Sequence, residues 1–247
     1  MNTVRPIGLF VTGTDTGVGK TLIAAGLAHA LQTLGVDIGV MKPVETGCPM
    51  RDGRLQPPDA LALREAAGLR DALDLINPYR FHAPLAPMVA AERLRRCIDV
   101  ERLLERFGRL ADRHTMMLVE GAGGLLVPIT EKLSFLDLAV RLQLPVLVVI
   151  GSRLGALNHA RLTVEAVLAA GIPVAGAIVN RATPERSLAR TTNLAALRRL
   201  LAIPVLGEIP YLSGIRGHAV WRSPVLQRIL ASYLGDLFPE LIKESAQ

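Results

Sequence analysis

The stretch Gly13-Thr-Asp-Thr-Gly-Val-Gly-Lys-Thr21 joins three glycines to a lysine and a hydroxyl residue, the types from which phosphate-binding loops are made. Glycines let a backbone approach an anion closely and turn successive N–H groups toward it. A helix opening near Lys20 adds its positive end, Lys20 reaches the β/γ-phosphates, and the Thr21 hydroxyl ligates Mg²⁺. The common spacing G-x-x-x-x-G-K-[ST] wants glycine at position 14, where this chain has Thr14 and carries its glycine one place earlier. The loop therefore reads as a variant of the phosphate-binding class. A plain strand-to-helix turn is the alternative, and it requires neither the lysine nor the extra glycines.

Bound Mg²⁺–nucleotide calls for carboxylates, because the ion takes hard oxygen ligands and keeps several waters. Glu120 ends the apolar run that begins at Thr115 and precedes Gly121-Ala-Gly-Gly124. Asp59 follows Pro57-Pro58 at a helix start and, taken alone, reads better as an N-cap than as a ligand. Lys42, next to Pro43 at the end of another apolar run, is costly to bury unless an anion meets it; a surface lysine lying along the fold is the alternative. On that basis Lys42→Ala is expected to lose turnover and keep its thermal midpoint. The turn 154–159 has N–H groups for a carboxylate or is an ordinary helix start. His159 reads as structural.

These residues need a scaffold that gathers strand ends. Apolar runs at 7–12, 38–44, 115–119, 145–150 and 174–179 alternate with helical patterns at 21–34, 100–111, 159–170 and 188–201. The strands lack polar alternation, as in a parallel sheet covered on both faces. Gly35 and Gly171 fall where helix ends want φ > 0. The expected fold is a doubly wound, mainly parallel α/β sheet with helices on both faces, P-loop NTPase-like, whose ligands bind beyond the strands' carboxyl ends. No composition break divides residues 1–247, so one domain is expected, with 47–58 as a long loop.

Half of the 247 residues are hydrophobic and the formal net charge is +6, yet only four of the 28 basic residues are lysine. The arginines are scattered among acids, which argues against a nucleic-acid footprint. Cys48 and Cys97 have no zinc or disulfide spacing, no signal peptide is evident and no apolar run is long enough to span a bilayer, so a cytoplasmic protein without membrane or nucleic-acid partners is expected.

Taken together, the segments resemble dethiobiotin synthetase from about Gly8 to Tyr211. Besides the variant loop, they are Lys42-Pro-Val, Pro58-Asp-Ala-Leu-Ala-Leu63, Asn77-Pro-Tyr, Val119-Glu-Gly-Ala-Gly-Gly124, Leu157-Asn-His-Ala160 and Gly207-Glu-Ile-Pro-Tyr211. Each is weak alone; the ordered set is specific. The resemblance implies ATP- and Mg²⁺-dependent ring closure of 7,8-diaminononanoate with CO₂, through a carbamate and a carbamic–phosphoric anhydride, by a homodimer. It implies Mg²⁺ at Thr21, Asp59 and Glu120, Lys20 on the phosphates, and Lys42 at the carbamate and γ-phosphate. Nucleotide contacts follow at Gly17, Val18, Gly19, Lys20, Thr21, Leu22, Asp59, Glu120, Gly121, Ala122 and Gly123, and around the base at Asn180, Arg181, Ile209, Pro210 and Tyr211. Substrate contacts follow at Thr16 and Thr46, and at Leu154, Gly155 and Asn158 from across a dimer interface.

Gly17 stands where some members carry glutamate, and 47–58 and the tail after 212 match poorly. Trp221, Arg216, His218 and Arg222 receive no function. Two rival readings are weaker. A ParA- or MinD-like switch ATPase has a second lysine five residues before the loop lysine, where this chain has Asp15. An amidating synthetase of cobalamin synthesis needs a glutaminase cysteine that neither Cys48 nor Cys97 supplies.

Overall fold

Both faces of the first strand are apolar and buried, and the architecture grows from that fact. A computed structural model describes residues 7–213 and 220–238. Strand β1 (Ile7–Gly13) sends Phe10 to one core and Leu9 and Val11 to the other. It lies inside a six-stranded sheet of order β10-β9-β8-β1-β7-β2, formed with β2 (Ile38–Met41), β7 (Met116–Gly124), β8 (Val146–Gly151), β9 (Val174–Asn180) and β10 (Val205–Ile209). Every pairing in it is parallel. One face is covered by α1 (Lys20–Thr33), α2 (Pro58–Ala66) and α9 (Pro224–Leu237). The other carries α5 (Val100–Ala111), α6 (Phe135–Leu142), α7 (Ala156–Ala169) and α8 (Leu188–Leu200). This is the doubly wound α/β layer fold expected of alternating strands and helices. Gly35 and Gly171 have φ of 81° and 74°, as their helix-end positions require.

Four expectations change. The apolar run 38–44 is two strands: β2 ends at Met41, and β3 (Val44–Thr46) pairs in a separate small sheet with β6 (Tyr79–Phe81). Pro43 has no N–H for a ladder, while the Lys42 N–H donates to Ile76 O at 2.8 Å. The chain thus leaves the main sheet at Lys42. Strand β7 runs past Val119, where the apolar run ends, to Gly124, so the glycines after Glu120 belong to the strand. The segment 47–58 holds a hairpin, β4 (Met50–Arg51) with β5 (Arg54–Leu55), turning at Asp52 and Gly53, both at positive φ as a two-residue hairpin turn demands. Helix α7 begins three residues before His159, and α2 begins at Pro58, which makes Asp59 a first-turn residue and Pro57 the cap. Helices α3 (Leu73–Ile76) and α4 (Pro87–Arg93) complete the connections.

No helix of the described residues is long and apolar enough to cross a membrane. Arg216 and His218 lie outside the described residues. Trp221 is buried, its ring edge-on to His29 at 5.0 Å and under the Arg222 guanidinium at 4.7 Å, which gives it a packing role between α1 and α9.

Candidate active site

The carboxyl ends of β1, β2 and β7 meet at one edge, and α1 points its first turn into it. The loop between β1 and α1 carries Gly17 and Gly19 at φ of 73° and 97°. Gly19 is the N-cap of α1, and neither a capping side chain nor a first-turn acid competes for the free N–H groups there. A Cβ on Gly19 would lie 2.1 Å from Asn180 Nδ2. That amide donates to Val18 O at 2.8 Å and so ties β9 to the loop.

A cavity of about 290 Å³ opens over this edge, lined by Thr16, Gly17, Gly19, Lys20 and Thr21 on the loop side. Lys42, Glu45, Thr46, Asp59, Glu120, Ala122 and Gly123 line the other side. Lys42 Nζ lies 2.6 Å from Glu120 Oε1 and 2.9 Å from Asp59 Oδ2, and also donates to Gly121 O at 3.2 Å. Thr21 Oγ1 donates to the same Glu120 oxygen at 2.7 Å. Glu120 is fully buried and its Oε2 has no hydrogen-bond partner. Burial opposes the Lys42 charge, but the carboxylates of Glu120, Asp59 and Glu45 outweigh it and hold the lysine above its ordinary range. Lys42 is therefore an ammonium across the useful pH range, unable to act as a base and suited to meeting negative charge. Burial also pushes Asp59 up, yet Lys42 and hydrogen bonds from Lys42 and Thr21 hold it below the usual carboxylate range. Lys20, whose Nζ donates to Asp15 O at 3.0 Å, is lowered to about 8, by burial first and then by the Lys42 charge.

The remaining sequence-predicted residues lie around this centre. Val18 and Asn180 line a second cavity of about 170 Å³ with Thr16 and Gly17, and Leu22 lines a third with Thr21 and Asp59. Arg181 pairs with Glu208 at 2.7 Å and its N–H donates to Ile209 O at 3.0 Å; Ile209 is buried, while Pro210 and Tyr211 are exposed beyond it. Leu154, Gly155 and Asn158 are exposed at the start of α7, and none of them lines the 290 Å³ cavity of their own chain. Arg153, just before them, pairs with Asp15 of the loop.

Sequence reasoning missed two residues. Buried Arg190 donates to Ser152 O at 2.9 Å and to Thr183 O at 2.7 Å, tying the turn after β8 to that after β9. Glu45, also buried, accepts the first N–H groups of α2. A helix opening on Pro57-Pro58 with no capping side chain was the one available sign that an acid elsewhere serves it.

Residues 7–219 match the family model described as an AAA domain. An ATP-dependent dethiobiotin synthetase of Anaeromyxobacter dehalogenans strain 2CP-C is 46% identical over 204 residues, 83% of this chain and 90% of that protein. A second, from Thermodesulfovibrio yellowstonii, is 40% identical over 214 residues, 83% of this chain and 89% of that one. The chain belongs to the dethiobiotin synthetase family. Among solved structures it is similar to the MinD cell division ATPase of Pyrococcus furiosus, with a TM-score of 0.61 and 19% identity over 95% of this chain and 98% of that one. MinD of Pyrococcus horikoshii, solved with Mg-ADP, gives 0.61 and 18% over 99% and 100%. At such identities the likeness is one of fold.

The donor set fits what an ATP-dependent synthetase must hold. Among the described residues no three His, Cys, Asp or Glu side chains gather as a metal cage. Mg²⁺ in nucleotide sites uses one or two carboxylates, waters and phosphate oxygens, and the Thr21 hydroxyl, Asp59 and the unpartnered Glu120 oxygen are of that kind. Two lysines facing a cavity floored by uncapped helix N–H groups suit phosphates.

Proposed function

We propose that this enzyme closes 7,8-diaminononanoate and CO₂ into dethiobiotin at the expense of ATP, with Mg²⁺. The observation that carries this reading is the buried Lys42 ammonium, fixed between Glu120 and Asp59 in one wall of a cavity whose other wall is the phosphate loop. One amine of the diamine adds to CO₂ and loses a proton, giving a carbamate. Bound Mg·ATP would supply the phosphoryl group that turns a carbamate oxygen into a leaving group, with ADP released. The second amine then attacks the carbonyl carbon, phosphate departs, and the ring closes with loss of a proton. Thr21, Asp59 and Glu120 hold the metal and Lys20 the phosphates. Lys42 meets the negative charge of the carbamate and of the transferring phosphoryl group, in a site already organised for it. Thr16 and Thr46 hold the diamine, and enclosure keeps the carbamate beside its phosphoryl donor.

The base lies against Asn180, Arg181 and Ile209 to Tyr211. The substrate carboxylate is taken by the uncapped N-terminus of α7 at Leu154, Gly155 and Asn158 of a second copy. Exposed Leu126 and Leu162 line one open cavity with Thr14 and Asp15 of the phosphate loop, an apolar surface that supports a homodimer. We read residues 1–247 as one cytoplasmic domain with no membrane or nucleic-acid partner. The test is phosphate release from Mg·ATP and bicarbonate, with and without the diamine. Release that requires the diamine and matches dethiobiotin formed is expected; release indifferent to the diamine would overturn the reading.

Thr21→Val removes the metal-facing hydroxyl at constant shape. It should weaken Mg²⁺-dependent ATP binding about tenfold or more, measured by calorimetry with and without the ion; an unchanged metal dependence removes Thr21 from the site. The Lys20 ammonium gives a pH signature. With its free-state pKa lowered to about 8, Lys20 is fully charged below that pH, and phosphates favour the charged form. Nucleotide binding should therefore take up protons near pH 8 and weaken as pH rises above it, by up to about tenfold per unit. Titrations in buffers of different ionisation heat would read the proton uptake directly.

A further inference from the structure

Glu45 sits on β3, one residue before Thr46 and three after Lys42, 3% exposed. Its two oxygens are divided between two donors: Oε1 accepts the Asp59 N–H at 2.9 Å and Oε2 the Ala60 N–H at 2.9 Å. A helix leaves its first N–H groups without partners. In α2 the cap is Pro57, which has no capping side chain, and Pro58 has no N–H to satisfy. The Leu61 N–H already donates to Pro57 O at 3.0 Å, which starts the helical ladder. The unpaired donors of this first turn are therefore those of Asp59 and Ala60, and Glu45 takes both.

An aspartate in a first helical turn can fold back onto such N–H groups when they are vacant. Here they are occupied, and the Asp59 carboxylate turns outward to lie 2.9 Å from Lys42 Nζ. We propose that Glu45 is the positioning residue for Asp59: by capping α2 from β3 it leaves the Asp59 carboxylate free to face Lys42, Thr21 and the metal. The same short strand thus carries the residue at the diamine and the group that aims a metal ligand, directly after the lysine-proline pair at which the chain leaves the main sheet. This rests on the reading of Asp59 as a Mg²⁺ ligand. Without Glu45, Asp59 has two vacant N–H groups of its own helix within reach and withdraws toward them.

The test is a Mg²⁺ titration, followed by calorimetry, of the full-length enzyme with a non-hydrolysable ATP analogue. The protein is compared with Glu45→Ala, Glu45→Gln, Asp59→Ala and the Glu45→Ala/Asp59→Ala double variant. Glu45→Ala should raise the half-saturating Mg²⁺ about tenfold and leave metal-free analogue affinity within about twofold. Glu45→Gln, with one oxygen still able to accept, should fall between. In the double variant the Glu45 effect should vanish, because its target is gone. Metal-free hydrogen exchange at the amides of Asp59 and Ala60 should speed up most in the double variant, where no carboxylate is left to accept from them. In the isosteric Glu45→Gln, which serves if Glu45→Ala folds poorly, it should speed up at the one amide that loses its oxygen. If Asp59→Ala weakens Mg²⁺ and the Glu45 variants do not, or if the two effects simply add, the positioning role is overturned while Asp59 keeps its place. If Asp59→Ala leaves the metal dependence unchanged, the metal assignment falls and takes the positioning role with it.

Discussion

Replacing Lys42 by alanine should cut turnover by about two to three orders of magnitude, the usual loss when one preorganised group facing transition-state charge is removed. It should also lower the unfolding midpoint at neutral pH. The sequence alone pointed to a retained midpoint, because it reads Lys42 as meeting the carbamate and not as holding the fold. The structure changes that expectation: the Lys42 and Glu120 side chains are 3% and 0% exposed and 2.6 Å apart. Removing one partner of a buried pair leaves an uncompensated charge and costs about 3–5 kcal/mol.

The charge left behind gives the deficit a pH dependence. Burial already raises the Glu120 carboxyl, and loss of the ammonium raises it further. A carboxyl whose folded pKa exceeds its unfolded value favours the fold at low pH and loses that contribution as pH climbs through the folded pKa. The Lys42→Ala deficit should therefore be small in mild acid and grow toward neutrality. Adding Glu120→Gln should restore most of the midpoint and none of the turnover. Melting curves from pH 5 to 8 with a coupled dethiobiotin assay check both parts; near-normal turnover in Lys42→Ala would sink the assigned role at any midpoint.

Gly19→Ala should weaken ADP binding by about 10–100-fold, as expected when strain of 1–3 kcal/mol falls on a binding loop. Two costs add. The backbone at Gly19 is left-handed with φ of 97°, which L side chains resist. A Cβ there would also meet Asn180 Nδ2 at 2.1 Å, pushing away the amide that holds Val18 O. In an Asn180→Ala background, which itself removes the proposed base contact and the tie to Val18 O, Gly19→Ala should cost less by its steric part and keep the conformational part. Calorimetry with ADP measures both variants, and undiminished affinity in Gly19→Ala would show that the loop does not need its observed shape.

What the sequence disclosed, and what it did not, follows from how far each residue's partner lies along the chain. Lys20, Thr21, Lys42 and Glu120 could be read because each ends an apolar run or opens a helix, and a parallel sheet brings such ends to one edge. The break at Lys42-Pro43 was masked by uninterrupted apolarity on both sides. The hairpin in 47–58 was signalled by Asp52-Gly53 and went unread for want of apolar flanks. Asp59 misled for a physical reason: an acid after two prolines looks like a cap, but the cap comes from Glu45, fourteen residues earlier. The short strands β3, β6 and β10 owe their existence to pairing partners, which no local pattern records.

Borrowing a cap from another element has an evolutionary corollary. If Glu45 releases Asp59 from service to its own helix, positions 45 and 57 are alternatives for one task. Relatives lacking an acid at 45 should carry Ser, Thr, Asn or Asp in place of Pro57, and the two sites should drift as a pair while Asp59 between them stays fixed.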